Sequence, residues 1–156
     1  MKIDFHPPHL ILVHFPAALF PMEFVCSALG FYLKDATFNY AAFYAMGGGV
    51  LMGWLAVMFG FVDLVRIPSE RKAVQQKALI HGSINLCMLI GYSVLFFLQW
   101  KAPEITAASV PQLILKFCLV LFLIIGNYLG AQLVLRYKVG TVNEPETNTA
   151  ASHAKT

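Results

Sequence analysis

The chain has 156 residues, 58% hydrophobic and only 12% charged, with a formal net charge of +3 and a mean hydropathy of +0.68. Soluble domains carry roughly 45–50% apolar and about 25% charged residues, so this composition belongs to a lipid bilayer and argues against an enzyme acting on aqueous substrates. The small positive excess sits beside apolar runs with no nucleic-acid motif, which excludes nucleic acid as the partner.

Four segments are long and apolar enough to cross about 30 Å of hydrocarbon: residues 10–33, 41–65, 78–100 and 112–137. The sequence therefore predicts an all-α fold, an integral membrane four-helix bundle covering residues 10–138. A short N-terminal segment, 1–9, precedes it, and a polar tail, 139–156, is expected to be disordered. The first span is too long for a signal h-region and carries Glu23, so it is expected to stay in the mature protein.

The chain enters the membrane through HPPHLILVHFPAALFP, with His6, His9 and His14 among Pro7, Pro8, Pro16 and Pro21. Proline removes a backbone donor and blocks the carbonyl four residues before it. A helix running through Pro16 and Pro21 would strip the carbonyls of Leu12 and Ala17 of their partners. In the other geometry HLILVH is a short interfacial helix and Pro16 occupies the first turn of the span, where proline is tolerated. Either way the backbone around His14 is irregular. Farther along this span, Glu23 lies nine residues past His14. At about 100° per residue it points to the opposite face, toward another span or a second subunit.

The second span holds Gly47–Gly49, the Gly49/Gly53 pair at GxxxG spacing, and Gly60 and Asp63 near its end. In the third, His81, Asn85, Met88 or Leu89, and Tyr92 repeat at helical spacing, one polar stripe that should face the bundle. The fourth carries Gly126 and Gly130, again at the spacing that lets membrane helices approach closely. Cys26, Cys87 and Cys118 lie inside spans without metal or haem-attachment spacing and are expected to be small buried hydrophobes.

Lys2, Arg66, Arg71, Lys72, Lys77, Arg136, Lys138 and Lys155 lie on the side shared by both termini, against Lys34, Lys101 and Lys116 on the other. The positive-inside rule then makes both termini cytoplasmic, in a multi-pass inner-membrane protein. With that topology His14, Asp63, His81 and Asn85 share one layer near the cytoplasmic boundary, and His6 and His9 lie just outside it.

Three readings follow. Imidazoles at equal depth on two spans suit the axial ligands of a b-type haem, which assigns cofactor binding to His14 and His81. Asp63 would then hold a ligand's outer nitrogen, and the protein would pass electrons to a redox protein partner. Alternatively His9, His14, Asp63 and His81 bind a divalent metal ion, or a proton, at the cytoplasmic mouth. The third reading is a non-catalytic assembly or partner subunit in which His81, Asp63 and Asn85 form a structural polar network, with a homo-oligomer among its assemblies. Hydrolase chemistry is not indicated: GxSxG is absent, and Ser83 follows His81 too closely to be its nucleophile.

HLILVHFPAAL, GFVDLVRIP and ALIHGSIN together resemble the signature of bacterial membrane proteins grouped as domain-of-unknown-function family 2231 (DUF2231). That pattern looks like HPxxVHFPxAL, a Gly-x-x-Asp ending the second span and a His-x-x-x-Asn in the third. By position it picks out His9, His14, Pro16, Gly60, Asp63, His81 and Asn85, with Leu10 departing from the proline more often found there. The resemblance implies a four-span fold without an established activity. Family members joined to Rieske-type iron–sulfur modules suggest, by association, redox chemistry.

Overall fold

The computed structural model describes residues 8–137 and 139. The rest of the expected N-terminal segment and tail, with His6 and His153, lies outside the described residues. The chain forms α1 (Pro8–Leu12), α2 (His14–Leu33), α3 (Ala36–Val65), α4 (Lys72–Lys101) and α5 (Val110–Leu135). Four spans result, His9–Leu33, Ala36–Val65, Lys72–Lys101 and Val110–Leu135, each long and apolar enough to cross a membrane.

The prolines shape the entry. The Val13 amide donates to the His9 carbonyl at 3.0 Å and the Ala17 amide to the Val13 carbonyl at 3.1 Å, so the backbone passes from α1 into α2 with one irregular residue. Pro16 is buried near the start of α2, and because helical bonds run on either side of it, its missing N–H leaves the Leu12 carbonyl without the usual donor four residues on. Both entry geometries contribute: α1 leads the span, and helical bonding continues from it past Pro16 into α2. Pro21 is accommodated inside α2, which continues past it.

Two residues turn α2 into α3. Lys34 adopts left-handed backbone with φ 58° and donates its amide to the Gly30 carbonyl at 3.1 Å, terminating α2. Asp35 then caps α3, its carboxylate accepting from the Thr37 amide at 2.8 Å. That bond holds the exposed Asp35 carboxyl below its ordinary pKa. At the start of α5, Ser109 and Gln112 form a reciprocal capping box, and Pro111 sits in the first turn.

Each helix packs on its sequence neighbour, and α5 returns to α2, closing a ring in which α2 faces α4 across the core. Phe20 and Tyr92 meet on that diagonal, their rings stacked at 4.0 Å and 7°. Met46, Met88, Leu89, Leu95, Leu119 and Leu123 complete the apolar centre. Glycine makes the approach possible. A Cβ on Gly49 would come 2.6 Å from the Phe20 ring, and one on Gly53 would come 2.7 Å from Leu89. Outside, α2 to α5 present isoleucine, leucine, phenylalanine and valine to their surroundings, as lipid-facing surfaces do.

Candidate functional site

Two polar centres interrupt this apolar interior. The first lies at the end of the bundle nearest the termini. His81 projects from α4 toward α5, with Nδ1 2.8 Å from the Gly126 carbonyl. A carbonyl only accepts, so Nδ1 carries the proton and donates it, and the lone pair of the neutral ring is on Nε2. Asn85, one turn along, donates its amide to the His81 carbonyl at 2.9 Å. Gly130 floors the imidazole: a Cβ there would stand 2.8 Å from His81 Cε1.

His9 repeats the arrangement on the other side of the bundle. Its Nδ1 lies 2.9 Å from the Ala56 carbonyl of α3, and a Cβ on Gly60 would come 2.9 Å from its Cε1. In both halves, then, an imidazole donates Nδ1–H to a carbonyl on the adjoining helix and rests on a glycine four residues farther along that helix. Both rings are partly buried. Each keeps an Nε2 lone pair with a fixed tautomer, the state in which histidine binds metal or accepts a proton.

The other expected residues divide. His14 is exposed, its Nδ1 donating at 2.6 Å to the Leu10 carbonyl on the preceding turn, so it does not share the inward position of His81. Asp63 is half-buried one turn beyond Gly60, and the outer nitrogen of His81 is held by Gly126 instead of by this carboxylate. Asn85, Met88, Leu89 and Tyr92 do lie on the inward face of α4. Among the described residues, no three His, Cys, Asp or Glu side chains converge as a metal-binding group. The cysteines are free, and only Cys26 is buried; Cys87 and Cys118 are exposed, on the lipid-facing surface.

The second centre lies deeper. Glu23 on α2 is 0% exposed and Lys116 on α5 is 4% exposed. Lys116 Nζ donates to Glu23 Oε1 at 2.5 Å and to Ser27 Oγ at 2.8 Å, while Ser27 Oγ donates to the same Oε1 at 2.8 Å. Tyr92, stacked on Phe20, directs its hydroxyl to the Lys116 carbonyl at 3.5 Å. Of the two partners expected for Glu23, the structure chooses another span.

Sequence reasoning missed this pairing because Lys116 was counted as a charge flanking the membrane. A signal was available: Glu23 precedes the Leu33 end of α2 by ten residues and Lys116 follows the Val110 start of α5 by six, at the same end of the bundle. Opposite charges at comparable depth in adjoining spans should pair, since neither is tolerated alone.

Residues 5–143 match a family model described as predicted membrane protein (DUF2231). No curated protein and no solved structure matches the chain.

Proposed function

The chain belongs to the DUF2231 family of predicted membrane proteins, and from that premise we propose that this member is a small b-type haem-binding protein that carries electrons at the membrane. The observation that carries the reading is the pair of partly buried imidazoles, His9 and His81, each with Nδ1 committed to a backbone carbonyl and Nε2 free. Metal-bound histidines need just such an outer-nitrogen partner to fix tautomer and ring orientation. A porphyrin supplies four of the iron's donors, so two imidazoles complete its set. His81 keeps the ligand role assigned from sequence. His9 replaces His14 as its partner, because His14 is exposed and turned toward its own helix.

Gly60 and Gly130 support the same reading, since each admits an imidazole at a depth where any side chain would displace it. The excess of lysine and arginine on the side of the termini supports an inner-membrane orientation with both termini cytoplasmic. In that orientation the site lies near the cytoplasmic face, within reach of a soluble redox partner.

A second reading rests on Asp63, whose half-buried carboxylate lies one turn from the His9 notch. With one imidazole it could offer at most two donors to a divalent ion such as zinc or iron, the remainder coming from water, because no three such side chains converge among the described residues. Haem quantification on protein purified from haem-replete cells, with metal analysis of the same sample, separates the two. Near-stoichiometric haem supports the cytochrome. Haem-free protein holding stoichiometric metal supports the ion site, and protein holding neither overturns both.

A further inference from the structure

The opposite end of the bundle carries a cleft of about 580 Å³ between the start of α3 and the end of α4. Small-molecule sites commonly occupy about 300–1,000 Å³, mostly apolar with a few placed polar groups. Phe43 and Phe96, stacked at 5.1 Å and 22°, form one wall, and Trp100 meets Phe96 edge-on at 5.4 Å. Backbone at Gly47 and Gly48 lines its deep part.

Its level in the membrane follows from two lysines. Lys34 Nζ lies 4.4 Å from the Phe31 ring and Lys101 Nζ 5.5 Å from the Phe97 ring, stems along apolar surface with the charge at the end of the spans, as at a headgroup boundary. The cleft therefore opens near that boundary at Tyr40 and Gln99 and deepens toward Gly48, roughly 12 Å along α3 at about 1.5 Å per residue.

An acyl chain needs no hydrogen-bond donors, yet this cleft has four side-chain donors beside its rings, the phenols of Tyr40 and Tyr44, the Gln99 amide and the Trp100 indole, with the Glu104 carboxylate also in its lining. The Gln99 amide has one N–H on the Thr106 carbonyl at 3.4 Å, which leaves its second N–H for a ligand. Aromatic walls favour a flat conjugated ring. Donors at the rim favour acceptor oxygens on that ring, and a mouth at the bilayer favours a ligand with an apolar tail.

We propose that this cleft binds the ring of a lipid-borne quinone. The inference goes beyond the haem reading and does not depend on it, because it concerns residues at the other end of the bundle. The test uses tryptophan fluorescence of the full chain in detergent, with Trp54→Phe as background so that Trp100 alone reports. Trp54, which donates to Ser93 Oγ at 3.1 Å, lies outside the cleft.

Titration with a short-tailed benzoquinone should quench Trp100 saturably, and an alcohol bearing the same tail without the ring should not compete. Gln99→Leu should weaken binding roughly tenfold, the loss of one ligand hydrogen bond. Ala102→Phe, placed in the cleft wall, should abolish saturation while the helical circular-dichroism signal and melting temperature stay unchanged. Linear quenching identical in all three proteins would mean partitioning into detergent and would overturn the proposal. Equal competition by the ringless alcohol would identify an acyl-chain groove and overturn it as well.

Discussion

Lys116 Nζ lies 2.5 Å from Glu23 Oε1 across the contact between α5 and α2, the contact that closes the ring of four helices. Both groups are removed from water and from lipid, so each depends on the other. Removing one partner of such a pair leaves an uncompensated buried charge, which costs about 3–5 kcal/mol. Glu23→Ala and Lys116→Ala should each destabilise the detergent-solubilised protein by that amount in thermal unfolding. The double substitution Glu23→Leu with Lys116→Met should be close to neutral, because it removes both charges and keeps the volume. Losses that simply add would show that the two residues are not coupled.

The glycines under the imidazoles make a sharper test of the histidine geometry. Gly130→Ala and Gly60→Ala place a methyl 2.8 Å from His81 Cε1 and 2.9 Å from His9 Cε1, so the ring must shift. Overpacking of this kind costs about 1–3 kcal/mol, and it should break the bonds from Nδ1 to the Gly126 and Ala56 carbonyls. Haem retention should fall in both variants while helical content holds. Gly82→Ala is the control: it adjoins His81 in sequence, but its Cβ would meet nothing within 4 Å. That variant should be neutral or more stable by about 0.5–1 kcal/mol, since alanine is the better helix former.

Asp35 predicts a pH response at the far end of α3. Its carboxyl is held below the ordinary value by the Thr37 amide, so its folded-state pKa lies under its unfolded one. The stabilisation it gives the helix start is therefore fully present above the unfolded pKa and is lost as pH falls through the lower, folded pKa. In an NMR titration the Thr37 amide resonance should move only at pH below the usual carboxylate range. Asp35→Asn should remove that titration, and a midpoint at or above the ordinary aspartate value would contradict the capping bond.

The membrane class and the four spans were legible because long apolar runs have few alternatives in water. Helices α3 and α4 begin at Ala36 and Lys72, ahead of the apolar runs at 41 and 78 that marked their spans. The inward stripe on α4 was legible too, since His81 and Asn85 share a face at i, i+4 and polar groups avoid lipid. Rotation of the other helices was not. A span that is apolar all round carries no hydrophobic face to orient it, so His9 and His14 looked interchangeable and Lys116 looked like a flanking charge. The deciding features were glycines. Gly60 and Gly130 read from sequence as packing residues, and only their places under His9 and His81 show which imidazoles turn inward.

In the proposed function His9 and His81 together hold one haem. Its most direct test is a haem titration of the purified apoprotein, followed by dithionite-reduced absorption spectra of the wild type, His9→Ala, His81→Ala and His14→Ala. Sharp reduced α and β bands are expected for the wild type and for His14→Ala, and loss of the low-spin spectrum in the other two. Retention of wild-type bands in both His9→Ala and His81→Ala, or their loss only in His14→Ala, would contradict it.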